Sequence, residues 1–272
     1  MYDGCVRLVS HPRRCFILQL LTLANTLAVM RMRGEARQYY LGYLWWLMEP
    51  MLYVAVFYFV FFSLLNTRQP DYLQFLMVGK LTFIWFSKSV NQAANCIEIN
   101  KGLVAQLRIP QALFPVATVV EGFYRQSVVF AFLLAFLVAT GYTFSAAWIW
   151  LVPVILLNAA LITGCAMAAA LLVCFQRDFR LLIQLGTVFM LFISGIFWDI
   201  NSVQNVELVA WLMRLNPVAA LIDAYRQILL YGTAPDAKVL LWALAEAALI
   251  LALMVLTFQR LQFWMARRVI SR

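Results

Sequence analysis

The chain has 272 residues, 65% of them hydrophobic and 12% charged, with a mean hydropathy of +0.84. A soluble domain is nearer half apolar and a quarter charged, so this apolar surface cannot all be hidden in one globule, and lipid is the solvent that accepts it. The formal charge of +9 falls between apolar runs rather than in one stripe, which points to a membrane surface and away from nucleic acid.

The first apolar run, Cys15–Met30, is interrupted by Asn25 and flanked by Arg13, Arg14, Arg31 and Arg33. It suits a helix lying in the interface plane better than a span. Six segments reach the length of about 20 apolar residues that a spanning helix needs. They are Leu41–Leu65, Gln74–Cys96, Leu113–Ala139, Ala146–Cys174, Leu181–Trp198 and Val239–Leu261. With six spans both termini share one side. That side collects fourteen of the 21 Lys and Arg, against four on the other, so the termini are expected in the cytoplasm. Between the fifth and sixth spans, Val206–Leu215 and Val218–Tyr231 are apolar-rich at helical spacing and meet at Asn216-Pro217. Both are too short to span, which suggests two re-entrant helices or a surface cap. The fold expected is therefore all-α and integral to the membrane, in one domain. Residues 1–40 form the cytoplasmic or interfacial segment, 41–198 the first five spans, 199–238 an external gate region, and 239–272 the last span and a basic tail.

No phosphate-cradling G-x-x-x-x-G-K-[ST] and no G-x-S-x-G nucleophile turn occurs. His11 is the only histidine, and Cys5, Cys15, Cys96, Cys165 and Cys174 form no C-x-x-C pair, so neither a metal ligand set nor a His-based triad is indicated. Any energy used here then comes from a partner or a gradient. The loop Glu98–Arg108 is suited to receive a partner. Leu103, Val104 and Leu107 fall on one helical face, bracketed by Lys101 and Arg108, with Glu98 and Asn100 ahead of them. Such a lever can dock in a groove of a soluble motor, or it is an ordinary interfacial loop.

Charges inside predicted spans are costly and therefore informative. Glu121 and Arg125 are spaced to pair across one helical turn. Lys88 is expected at the depth of Glu121, and Lys80 and Glu246 both in the outer third. Inter-helix pairs are expected, with pathway lining as the alternative. Aromatic residues concentrate on the first span (Tyr39, Tyr43, Trp46, Tyr53, Phe57) and the fifth (Phe189, Phe192, Phe197). Flat rings stack on the C–H faces of sugars, so these positions suit a polysaccharide conduit, or serve as interface anchors and core.

The sequence also resembles the integral-membrane permeases of ABC-2-type polysaccharide exporters, from about Arg31 to Arg260. The resemblance rests on Leu41-Gly42-Tyr43-Leu44-Trp45 running on to Glu49-Pro50, and on Asn100-Lys101-Gly102-Leu103 running on to Arg108-Ile109-Pro110. It rests also on Arg177-Asp178-Phe179 with Ser194-Gly195-Ile196-Phe197, and on Leu215-Asn216-Pro217 with Tyr225-Arg226. It implies a bacterial inner-membrane homodimer bound to two copies of a cytoplasmic ATPase that carries the ATP and Mg. It implies Glu98–Arg108 as the coupling helix and spans one and five as channel walls. It makes Asn216, Pro217, Tyr225 and Arg226 part of the gate. The cargo implied is lipid-linked polysaccharide, O-antigen rather than capsule or teichoic acid. Lys80 and Lys88 depart from the mostly apolar pattern expected at their positions. A membrane-embedded transferase acting on lipid-linked sugar is the reading from another class. It has no clustered acids or bases to support it.

Overall fold

The computed structural model of the protein describes residues 13–38, 44–60, 71–107, 109–200 and 203–271. Among them every regular element is a helix. In chain order these are α1 (Arg13–Gln38), α2 (Trp45–Tyr58), α3 (Tyr72–Ala94), α4 (Cys96–Ile99), α5 (Lys101–Gln106), α6 (Leu113–Ala139), α7 (Leu151–Phe175), α8 (Phe179–Ile193), α9 (Val206–Leu215), α10 (Pro217–Leu229) and α11 (Ala237–Ile270). A 3-10 turn, Ala146–Trp150, leads into α7.

Three helices among the described residues are long and apolar enough to cross a bilayer: α6, α7 with its leading turn, and α11. α3 has 23 residues, but Lys80, Lys88, Asn91 and Gln92 lower its hydropathy. α8 has only 15 residues and ends sooner than the Trp198 boundary read from hydropathy. The physical reason is Gly195, whose φ of 68° breaks the helix just after the cap residue Ser194. α11 runs the other way. It continues nine residues past Leu261 through Arg267 and Arg268, so most of the basic tail is helical. Cations in a last turn suit the negative end of a helix dipole.

α3 and α7 form the centre. α3 packs on α6, α7 and α10, while α7 packs on α3 and α11. The main core includes Val78 and Leu81 of α3, Leu133 and Leu137 of α6, Leu161 and Ile162 of α7, and Tyr225 of α10, all essentially inaccessible. The outward faces of α11 and α8 remain apolar and exposed, from Leu241 to Leu256 and from Leu181 to Phe192. Unpaired apolar faces of this size belong against lipid or another protein.

α1 is longer than the interfacial run Cys15–Met30. It extends to Gln38, pinned to α6 at points from Ala24 to Glu35. Ala24 is fully buried against Leu113 and Ala117, small side chains letting the two helices approach closely. Arg31 Nη1 donates to Thr118 Oγ1 at 3.2 Å, and Tyr124 Oη donates to Asn25 Oδ1 at 2.7 Å.

Candidate functional site

Three places carry the chemistry that sequence reading singled out: the C-terminal end of α8, a charge cluster near the C-terminal end of α3, and the short helices α4 and α5.

At its C-terminal end, α8 leaves backbone carbonyls that no helical N–H can reach. Side chains meet one of them and three more carbonyls just past the helix end. Trp198 Nε1 donates to Phe192 O at 2.9 Å. Arg226 Nη1 donates to Gly195 O at 2.7 Å and Nη2 to Ile196 O at 3.0 Å. Tyr72 Oη donates to Phe197 O at 3.3 Å. The guanidinium also sits 3.4 Å over the Phe75 ring and is only 2% exposed. Its room comes from Gly79, where a Cβ would stand 2.6 Å from Nη2. Asn216 completes the junction. Its Oδ1 accepts from Val218 N and Ala219 N, capping α10, while Nδ2 donates to Ser194 Oγ at 2.9 Å. Pro217 stands at the first helical position, where its missing N–H costs nothing. Tyr225 is fully buried with its ring 5.6 Å from that of Phe130. Asn216 and Arg226 therefore bind α10 to the end of α8, while Pro217 starts α10 and Tyr225 packs it on α6. Arg226 is one of the four cations that the sequence reading placed on the external side, yet it is among the most deeply buried large side chains.

Near the C-terminal end of α3, six charged side chains from four helices gather in two groups. Arg125 is paired with Glu121 on its own helix and with Glu35 of α1. Arg31 lies 4.0 Å from Glu121. Lys88 is paired with Glu49 of α2, not with Glu121 as its depth suggested. α1 and α2 supply the carboxylates that hydropathy could not assign, and Arg125 satisfies Glu121 from its own helix. Trp46 lies over Arg125, with the guanidinium 5.2 Å from the ring, so it faces α6 rather than an open wall. Lys80 is buried on α3, and Glu246 on α11 makes no ion pair among the described residues, so the two do not pair with each other.

On the third surface, the segment expected as one lever is two helices broken at Asn100. Its side chain donates back to Cys96 O at 2.5 Å. Val104 is 6% exposed and packs with Phe114, Met167, Phe258 and Met265, so it faces inward, contrary to its expected place on the docking face. One residue is a 100° step around a helix, and α5 puts that step against the core. The outward apolar residues are Leu103, Leu107 and Ile99, the last 77% exposed and missed from sequence because it precedes the break. Leu107 already has extended backbone, so it projects from the helix end. Glu98 is paired with Arg177, tying α4 to the start of α8. Lys101 begins α5 and is half-buried, and Arg108 lies outside the described residues.

Of the aromatic residues, Phe189 and Phe192 lie on the exposed stripe of α8 with Leu181, Leu185 and Val188, while Thr187 faces inward. Phe197 lies past the helix end, 5.7 Å from Phe192 ring to ring. Tyr39 and Tyr43 lie outside the described residues, as do the side chains of Tyr53 and Phe57.

A family model described as ABC-2 type transporter matches residues 24–230. An O-antigen export system permease protein RfbA of Klebsiella pneumoniae is 27% identical over 195 residues, 71% of this chain and 74% of that protein. The protein of the same name in Myxococcus xanthus is 26% identical over 234 residues, 84% of this chain and 88% of that one. The polysialic acid transport protein KpsM of Escherichia coli is 30% identical over 93 residues, 34% of this chain and 36% of that one.

Proposed function

The chain belongs to the ABC-2 type transporter family, and from that premise we propose that it is the channel-forming subunit of an exporter for lipid-linked polysaccharide, with O-antigen as the cargo. As a member of the family it is a transport subunit and not an enzyme. ATP hydrolysis belongs to a separate ATPase subunit, and the chain is a multi-pass inner-membrane protein. The transferase reading falls with that membership.

The observation that carries the proposal is the face of α8. Leu181, Leu185, Val188, Phe189 and Phe192 are exposed in one stripe, while the outer end of the same helix is fixed in a buried polar junction. A stripe fixed in this way and left open makes sense as wall or seam of a conduit completed by a second copy. Flat apolar rings let sugar units slide without being trapped by strong hydrogen bonds. The RfbA relatives, matched over most of their length, favour O-antigen. The shorter match to KpsM keeps a capsular polymer as the second reading. In this account α2, α3, α6, α7, α8 and α11 span the membrane with both termini in the cytoplasm. α9 and α10 are re-entrant, and the homodimer binds two ATPase subunits through α4 and α5.

The coupling assignment is tested with the purified permease–ATPase complex in proteoliposomes. Ile99→Ala combined with Leu103→Ala lowers polysaccharide export at least about tenfold, the loss of roughly 1.4 kcal/mol of coupling, without changing the unfolding temperature. Val104→Ala does the reverse: it destabilises the fold by about 1–3 kcal/mol through a cavity in the core and leaves the ratio of export to hydrolysis unchanged. Full export by the first variant overturns the docking role.

A further inference from the structure

Beside the inner charge network, between α3 and α6, lies a cavity of about 40 Å3 lined by Trp46, Trp85, Lys88, Gln92, Arg125 and Gln126. The helices meet closely there. A Cβ on Gly122 would stand 2.5 Å from Ser89 Oγ and 3.4 Å from Trp85 Nε1. Around this point Trp85 Nε1, Ser89 Oγ and Arg125 Nε are buried with no hydrogen-bond partner among the described residues. Trp85 is 2% exposed and Ser89 1%. Gln126 is already committed, its Nε2 donating to Leu81 O at 3.1 Å.

An indole N–H and a guanidinium Nε–H can only donate. Whatever completes the site must accept. A cavity of this size admits water, but water leaves unexplained why two cations flank the space and why their partners are so placed. Lys88 and Arg125 are held by Glu49 and Glu35, whose side chains are 31% and 33% exposed and sit on other helices, α2 and α1. The network as it stands is neutral: Arg31, Lys88 and Arg125 against Glu35, Glu49 and Glu121. With Glu35 and Glu49 turned out to water, three cations face Glu121 alone. Lys88 lies six residues from the end of α3, a rise of about 9 Å, which is a depth that a lipid headgroup at the inner interface reaches.

We propose that this cleft binds a phosphate or diphosphate headgroup, which takes the places of the Glu49 and Glu35 carboxylates on Lys88 and Arg125 and accepts from Trp85 Nε1 and Arg125 Nε. Binding thereby releases two of the ion pairs that hold α1 against α6 and α2 against α3. Phosphate recognition stands on these donors. Only the identity of the physiological lipid, the carrier of the exported glycan, rests on the export reading.

The test is calorimetric titration of the purified chain in maltoside micelles, which contain no phosphate, with farnesyl diphosphate, inorganic diphosphate and farnesol. Farnesyl diphosphate binds and farnesol does not. Glu49→Gln, which removes a competing carboxylate, tightens binding about fivefold, and Trp85→Phe weakens it about tenfold. A merely structural network predicts no gain for Glu49→Gln. Equal affinity for inorganic diphosphate identifies a headgroup site open to soluble diphosphate, and a preference for the farnesyl form identifies a lipid site. Both support the proposal. Binding of farnesol as tight as farnesyl diphosphate, or no binding by natively eluting wild type and Glu49→Gln, overturns it. So does affinity that neither variant changes. If Trp85→Phe does not fold, Glu35→Gln takes its place and is expected to tighten binding. Failure of the export reading would leave these affinities intact.

Discussion

Replacing Arg226 by Leu is expected to cost the fold about 3 kcal/mol or more and to abolish export. The substitution strands the carbonyls of Gly195 and Ile196 in a buried junction and removes the cation above the Phe75 ring. Hydrogen bonds between membrane helices are each worth less than their counterparts in soluble cores, because the unfolded chain in lipid also finds partners. Several acceptors on one buried side chain offset that discount. Lysine is a poor substitute: one ammonium cannot present a planar fork to two carbonyls in different directions. Arg226→Lys therefore keeps less than half of the stabilisation. Asn216→Ala, which removes an N-cap and one bond to Ser194, costs about 1 kcal/mol. The measurement is thermal unfolding of the purified protein in detergent across the three variants. Equal midpoints for wild type and Arg226→Leu would dismiss the junction as a structural element.

The second large effect concerns the inner network. Arg125→Met leaves Glu121 buried, with the 4.0 Å approach of Arg31 as its remaining compensation, and is expected to destabilise by about 3–5 kcal/mol. Adding Glu121→Gln removes the stranded charge and restores at least half of that loss. The pairing of Lys88 is tested separately. Charge reversal at Lys88 and Glu49 together restores the stability that either reversal loses, whereas reversal at Lys88 and Glu121 does not. Rescue by the second pair and not the first would refute the arrangement of α2 against α3.

The contrast between these two sites explains what hydropathy and spacing can reach. α6 is bounded at Leu113 and Ala139 in both readings, and α9 at Val206 and Leu215, because breakers mark their ends: Pro110 and Gly141 around α6, and Asn216-Pro217 after α9. Glu121 and Arg125 pair as their spacing requires, since both lie on one helix and its geometry decides the matter. Lys88 is different. Its partner depends on which way α2 turns, and a single-helix periodicity holds no information about that rotation. Arg226 escaped for another reason. Hydropathy treats a cation outside a span as solvated, and the carbonyls that hold it are backbone groups with no identity in the sequence. Its neighbours gave a usable sign: Tyr225, Ile228 and Leu229 are apolar around it on nearly every side of α10. The Val104 error has a similar origin. An apolar position on a short helix can face the protein or its partner, and only the packing of α11 and α7 on α5 decides which.

The central claim, export of a lipid-linked polymer, is tested most directly by deleting the chain in its host and locating the polymer. The account predicts that polymer on its lipid carrier is still made but accumulates on the cytoplasmic face, out of reach of an external glycosidase. Re-expression of the wild-type chain together with its ATPase returns it to the outside. Polymer of normal amount at the surface, or no polymer made at all, would contradict the account.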